Sequence, residues 1–361
     1  MSQGDHAAAD FEAASAQATK DFVASYPDGG LDIDLDLRGC LELPASAEEW
    51  ASMQELAAGM ALDGDVSCWG APAVAATVRH PQRGSDGEDP AHGALHYPGR
   101  GTMYPAKLVG GLAQAAKDLG ATFHCGVQVL GPITGGPSPS TMGNRAPGGP
   151  RIVNTSDGRI SVLKAVIVCT NGYGTPALLP ELTDYIYPVR NQVLMTPPLP
   201  PLWDVSGICT HDDFTYAMQR CDGRVCIGGC RNIISGMEVG VSDDSVLVPA
   251  VGLALRKMLH ERFGAPADVP VEHEWTGILG FTVDGSPLVG PLSDLADGLP
   301  ADVFVAAGFC GHGMTVCPLV GAAVANMALG GAAAEGMTSS VHPYIQQTMS
   351  LRRLRQSTAI E

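Results

Sequence analysis

Apolar and polar residues alternate along this chain with two different periods, and together they predict its elements. Residues 5–25 and 46–59 carry Ala, Glu and Gln with apolar residues at helical spacing, so both are expected as helices. Between them LDIDLDLRGCLEL, residues 31–43, alternates apolar with polar side chains as a half-buried strand does. A helix follows with Leu108, Leu112, Ala115 and Leu119 on one side, ends at Gly120, and leads into a strand over about 122–130. This is an αβ unit of the kind that lies on a parallel sheet. A hairpin at Asp157-Gly158 leads into a buried strand, Ala165–Cys169. From about 186 to 235 short strands separated by turn residues predict an antiparallel sheet. Asp243 is expected to cap a helix over 244–263, with Val246, Val251, Leu255 and Leu259 on its apolar side.

Two stretches break the pattern. Residues 80–93 are a polar loop, and residues 131–150 hold six Gly and five Pro, which marks a flexible insert. No internal repeat is present.

Composition narrows the class. A length of 361 residues suits two domains or one large discontinuous one. Gly 45 and Pro 27 make about a fifth of the chain, above the ordinary ~12%, while charged residues reach only 16%. With 45% hydrophobic residues, this is a packed, loop-rich protein and neither disordered nor a coiled coil. The net charge of −17 argues against a nucleic-acid or anionic-membrane binder. The start, MSQGDH, has no basic stretch leading into an apolar one, so no secretory signal is expected. Ten cysteines without regular spacing fit free thiols in a reducing, cytoplasmic setting.

The tightest thiol cluster, Cys221, Cys226 and Cys230, lacks metal-site spacing, and Asp222-Gly223 reads as a hairpin turn, so no metal is expected. Residues 303–334 contain no Asp, Glu, Lys or Arg, long enough for a membrane span. The break at GFCGHG and Pro318 instead favours a buried strand, a glycine turn and a buried helix.

Three segments can carry chemistry. In VFVAAGFCGHGMT, residues 303–315, Gly308, Gly311 and Gly313 let the backbone approach a flat or anionic ligand, and a helix N-terminus follows. Such donors suit a reduced flavin, whose N1–C2=O edge gains negative charge. Taken alone, the glycines read first as a tight turn between core elements, and His312 alone reads first as a packed, hydrogen-bonded residue and second as a catalyst. The second segment is WTGILGFTVDGSPLVGPL, 275–292, with a bend at Asp284-Gly285. The third is IVCTNGYGTPALLPEL, 167–182, a strand that delivers Asn171 and Gly172 to a sheet edge.

Together with GTMYPAKLVGGLAQAAKDLGA, YPVRNQVLMTPPL and RCDGRVCIGG, these segments resemble the FAD-dependent oxidoreductases of the D-amino-acid oxidase, glycine oxidase and sarcosine oxidase superfamily. Within it they look like the amine-oxidising branch that includes gamma-glutamylputrescine oxidase. The resemblance implies an α/β and α+β chain: a FAD-binding parallel-sheet domain interleaved with an antiparallel-sheet substrate domain. It places substrate-domain helices and strands in 1–95, FAD-domain portions in 96–180 and 276–335, the antiparallel substrate domain in 181–275, and a tail in 336–361. It implies an enzyme that passes hydride from an amine C–H to flavin N5, with a small amine or amino acid as substrate.

The positions that match the family's FAD contacts are Val127, Asn171, Gly172, Gly308, Gly311, His312, Gly313 and Met314. No cysteine lies within 275–292, where some relatives attach flavin, so FAD is expected to be non-covalent. Tyr216 and His211, in HDDFTYAMQR, are the candidate polar groups on the substrate face, with His312 a further catalytic candidate.

Two departures shape the expectation. The first sixty residues contain no G-x-G-x-x-G turn, so the chain is expected to lack the family's first βαβ unit. The turn that carries a substrate-binding arginine in the glycine-oxidase branch holds Leu279 here. An amine or N-substituted substrate is therefore favoured, with Arg190, Arg220 or Arg231 available as substitutes. Two other readings remain open: a non-catalytic remnant or interaction module that binds no flavin alone, and a flavin subunit completed by another chain. The amine, the electron acceptor and the oligomeric state are not fixed by the sequence.

Overall fold

The computed structural model describes residues 3–27, 30–60, 66–78, 92–133, 150–210, 215–330 and 341–357. The expected loop 80–93 and insert 131–150 therefore lie mostly outside the described residues. The helices are α1 (Gln3–Ser25), α2 (Ala47–Met60), α3 (Ala71–Thr77), α4 (Pro105–Asp118), α5 (Asn171–Leu178), α6 (Pro249–Glu261), α7 (Gly313–Ala328) and α8 (Arg352–Ser357). The strands are β1 (Cys40–Leu43), β2 (Ser67–Gly70), β3 (Gly93–Tyr97), β4 (Val129–Leu130), β5 (Arg151–Thr155), β6 (Gly158–Val162) and β7 (Val166–Val168). They continue with β8 (Ile186–Pro198), β9 (Gly207–Thr210), β10 (Tyr216–Gln219), β11 (Arg224–Gly228), β12 (His273–Thr282), β13 (Leu288–Pro291) and β14 (Val303–Ala307).

The chain divides into two compact units. Unit 1 takes Asp32–Gly110 and Arg190–Gly277; unit 2 takes residues up to Leu31, then Gly111–Val189, and everything from Ile278 onward. The sheet built on unit 1 runs in the order β12-β8-β11-β10-β9-β1-β3-β2. Its core face follows from period-2 alternation: Leu194, Ile227, Ala217 and Ile208 stand on one rung across β8, β11, β10 and β9, and all are buried. Val251, Leu255, Leu259 and Phe263 from α6 and its end belong to the same core as Trp203.

Unit 2 has two small sheets. One is β13-β14-β7, with β14 parallel to β7 and antiparallel to β13; the other is β4-β5-β6. All five residues of β14 are buried, between one core that includes Val168, Leu288 and Leu351 and another that includes Phe11, Val320 and Val324. The second core accounts for α1: Phe11 is fully buried and stacks on Tyr344 at 5.2 Å. Arg151 is also buried and makes a two-point ion pair with Asp302, Nη2 to Oδ1 at 2.7 Å and Nε to Oδ2 at 3.2 Å.

Four expectations need correction. The strand over 31–43 shrinks to β1, because Asp34 adopts φ +52° and Gly39 φ +84°, which interrupt extended backbone. The aspartates instead bind cations: Lys107 holds Asp32 and Asp34, and Arg38 holds Asp36. The strand over 122–130 shrinks to β4. Residues 121–126 are exposed, Gly126 turns the chain at φ +76°, and among the described residues no neighbouring strand pairs with 122–128.

The helix over 244–263 is α6, starting at Pro249. Asp243 turns back onto the Ser245 N–H and hydroxyl, at 2.9 and 2.6 Å, so it does not cap the helix. Proline with no N–H suits the first helical turn, and the Val248 N–H goes to Gln192 Oε1 at 2.8 Å. Val246 then falls outside the helix and is 48% exposed. Finally, the strand at 165–169 is β7 and only half-buried, with Ile167 40% exposed.

Candidate functional site

Unit 2 interlocks all three segments singled out above. Beyond β7 the backbone turns left-handed at Asn171, φ +47°, a conformation that asparagine tolerates better than most residues. Asn171 Oδ1 accepts the Gly308 N–H at 2.9 Å. A Cβ on Gly280 would stand 2.3 Å from that oxygen, and a Cβ on Gly172 would stand 2.4 Å from the Leu279 carbonyl oxygen. Both positions therefore need glycine to let two backbones touch. The Cys310 N–H closes the knot by donating to the Gly280 carbonyl at 2.8 Å.

The turn from Gly308 to Gly313 winds through three left-handed residues: Gly308 (φ +74°), Cys310 (+50°) and Gly311 (+89°). A Cβ on Gly308 would meet Thr282 at 2.4 Å, whereas nothing surrounds Gly311, so Gly311 serves backbone conformation alone. α7 begins at Gly313 and runs 16 residues. Its first amides have no intrahelical acceptor and sit at the positive end of the helix dipole. The turn alternates glycines with Phe309, Cys310 and His312, is open at Gly311, and is backed by these donors. His312 precedes the helix, exposed, with Nδ1 3.1 Å from the Cys310 carbonyl oxygen, and Met314 is 40% exposed.

Thus Asn171, Gly172, Gly308, Gly311, His312, Gly313 and Met314 come together in unit 2. Val127 stands apart, half-buried in the exposed segment before β4. Sequence reasoning missed Gly280 and Thr282 as members of the knot; the only signal was a glycine inside a strand pattern.

Unit 1 presents a second constellation, on the sheet face opposite its core. Val193, Gly228, Tyr216 and Cys209 share one rung, and Met195, Cys226 and Met218 the next on the same face. Gly228 leaves room for the Tyr216 ring to lean across it: a Cβ there would lie 2.5 Å from the Tyr216 hydroxyl. Burial raises the Tyr216 pKa to about 12, opposed by Arg231 and by a hydrogen bond from the Asn191 side chain. The hydroxyl is thus a protonated donor at any ordinary pH. Asn191 is buried, and among the described residues its Oδ1 has no hydrogen-bond partner. Burial also lowers the Arg231 pKa, and Tyr216 acts on it in the opposite direction.

The other two arginines are engaged by carboxylates. Arg190 donates to Glu238 at 2.6 Å and to the Asp243 carbonyl at 3.0 Å. Arg220 lies 3.5 Å from both Asp34 and Asp222 and stacks over Tyr104 at 4.1 Å. His211 lies outside the described residues. Among the described residues no cluster of His, Cys, Asp or Glu is arranged to hold a metal, and no helix is long and apolar enough to cross a membrane.

A probable oxidoreductase, OrdL, of Rhizobium meliloti is 27% identical over 244 residues, covering 66% of this chain and 50% of that protein. A D-amino acid dehydrogenase of Granulibacter bethesdensis is 24% identical over 56% of this chain and 44% of its own length. The chain spans about half the length of these relatives. Among solved structures, glycine oxidase from Geobacillus kaustophilus superposes with TM-score 0.70 at 19% identity, covering 88% of this chain and 77% of that one. L-proline dehydrogenase from P. horikoshii gives TM-score 0.72 at 18% identity over 96% and 83%. Both share the fold. The family profile described as FAD dependent oxidoreductase matches residues 2–327, nearly the whole chain, and the chain belongs to that family, DAO.

Proposed function

We propose that this chain is a FAD-dependent oxidoreductase of amines or amino acids, with the Asn171–Gly308 knot as its flavin-holding element. FAD, when bound, would accept two electrons from the substrate's amine-bearing C–H bond, leaving an imine that water hydrolyses. The chain's own residues bind and orient. Asn171 fixes the turn through Gly308, and the donors of α7, from Gly313 and Met314, offset negative charge on the ring system. Non-covalent attachment accords with the absence of cysteine from 275–292. Tyr216 and neighbouring groups of unit 1 hold the substrate, as a small-molecule site and not a nucleic-acid one. No side chain is required as general base, since a neutral amine already carries its lone pair.

The observation that carries this reading is the three-way interlock of 170–173, 278–282 and 308–314, which turns three separate sequence motifs into one donor-lined turn. The test is the visible spectrum of the purified chain after incubation with FAD and gel filtration. One flavin per chain, with its band bleached by an amine substrate, is the expected outcome. Folded protein that retains no flavin argues against it.

A second reading is favoured by one feature. Among the described residues the parallel pairing of unit 2 stops at β7, where Ile167 is 40% exposed and Leu163 just before it 83% exposed. Parallel strands are ordinarily covered on both sides. A flavin subunit completed by a further polypeptide segment would cover that edge, and in that case flavin uptake appears only when the segment is supplied.

A further inference from the structure

One level of the outer face of the unit 1 sheet is a row of sulfur-bearing side chains. Cys226 on β11 lies directly opposite Met218 on β10 and Met195 on β8, so a thioether flanks the thiol on each side. Period-2 alternation puts all three on the face away from the core, because Val225 and Ile227, the chain neighbours of Cys226, are fully buried in that core. Directly opposed residues have Cα atoms about 4.5–5.5 Å apart. A methionine, unbranched and freely rotating, can therefore swing its sulfur over the central thiol from either side. All three residues are half-buried, and Met195 lines an open cavity with Tyr104, Arg220 and Trp275, which gives the row a path to solvent.

The central thiol is uncommitted. Cys209, Cys230 and Cys310 each meet an oxygen of the protein, that of Leu41 at 3.7 Å, Thr215 at 3.3 Å and Gly308 at 3.3 Å. Cys226 forms no disulfide, and among the described residues its thiol makes no hydrogen bond. Burial raises its pKa to about 11, against the charge of Arg220, which lowers it. At neutral pH the sulfur thus carries its proton, and a ligand that displaces that proton must bind sulfur strongly.

The donor set selects the ligand. One thiol and two thioethers are soft, and together they supply a single negative charge. Zinc sites are built from thiolates, imidazoles and carboxylates, and the hard divalent ions take oxygen, so neither class suits two neutral thioethers. Thiolate and thioether sulfur together favour copper(I), whose single charge one thiolate balances.

We infer that Met195, Met218 and Cys226 form a three-sulfur site for a soft monovalent cation, copper(I). On binding, the Cys226 S–H bond breaks, a Cu–S bond forms and the proton leaves to solvent, so no electron is transferred. The two thioethers complete the shell as neutral donors. The site lies within unit 1 and uses no residue of the 308–314 turn, so it stands apart from the flavin reading.

The experiment titrates the full chain, without added FAD and without oxygen, with copper(I) in competition with a chromophoric copper(I) chelator. One copper per chain is expected to stay with the protein, with only sulfur around it in its X-ray absorption spectrum. Cys226→Ser should weaken that copper at least about 100-fold, and Met195→Leu and Met218→Leu, which conserve volume, about ten-fold each. Cys221→Ser, which removes an exposed thiol from the neighbouring turn, should change nothing. The two leucine variants carry the test if circular dichroism shows that the serine variant does not fold. No copper held against the chelator, an affinity unchanged in both leucine variants, or Zn²⁺ held as tightly by the same three residues overturns the proposal.

Discussion

The two units solve the same packing problem with different completeness. In unit 1 the inner sheet face is shut by α6, with Leu255, Leu259 and Phe263 fully buried around Trp203. In unit 2, β14 is wholly buried while its parallel neighbour β7 opens at Ile167, and Leu163 and Leu119 are 83% and 90% exposed. Glycine is also used differently. In unit 1 Gly228 clears space for one aromatic ring, whereas in unit 2 Gly172, Gly280 and Gly308 let three backbone segments meet. The comparison separates a unit whose stability comes from one deep core from a unit whose glycine turn depends on a few close backbone contacts. All four tryptophans, Trp50, Trp69, Trp203 and Trp275, lie in unit 1, so their fluorescence reports that unit alone.

The two largest expected effects fall one in each unit. Arg151→Met leaves Asp302 without its two-point partner and should cost about 3 kcal/mol, as removal of one member of a buried pair does. Chemical denaturation followed by far-UV circular dichroism should shift, while the tryptophan transition stays in place. Leu255→Ala is its counterpart in unit 1. A fully buried leucine removed from the core costs roughly 2–5 kcal/mol, and here the tryptophan transition should move.

Next comes Gly172→Ala. Its Cβ would meet the Leu279 carbonyl, a backbone atom that cannot turn aside, so a loss of about 1–3 kcal/mol and of flavin retention is expected. Equilibrium dialysis against FAD measures the second effect. Unchanged retention would mean that the close approach is incidental to the site.

Acid acts on unit 1 through carboxylates held low by their partners. Lys107 lowers the Asp32 pKa, Arg38 that of Asp36, and Arg224 that of Glu272. A folded pKa below the unfolded one contributes stability that is present above the unfolded carboxylate value, about 4, and is lost as pH falls through the folded value. The tryptophan transition should therefore weaken from about pH 4 downward, with a smaller slope in high salt. A flat profile from pH 6 to 3 would show that these pairs are solvated decoration. The smallest effect is predicted for Leu163→Ser, within about 0.5 kcal/mol of neutral, with less self-association on concentration.

Much of the turn at 308–313 was legible because its determinants are local. Gly308, Gly311 and Gly313 advertise a left-handed turn, and a helix after it follows from the apolar run to Ala328. The partners across the knot were not legible, since the approach of Gly280 to Asn171 is set by tertiary packing and not by spacing. The alternation at 31–43 misled because its aspartates are engaged by Lys107 and Arg38, and pattern alone cannot foresee the left-handed Asp34. For 244–263 the proline at 249 was the better signal and the aspartate at 243 the weaker one. On unit 1, Tyr216 was singled out from its residue type, but its pairing with Asn191 was invisible, because only the leaning of Tyr216 over Gly228 brings their side chains together.

Hydrogen exchange measured by mass spectrometry, with and without saturating FAD, addresses the central claim most directly. The account predicts that amides in 171–174 and 308–315 slow by about ten-fold or more on flavin binding, the protection that follows from a bound ligand at 10 times its Kd, while the core strands β9, β10 and β11 are unchanged. Flavin bound at one per chain with both segments exchanging as before would contradict it.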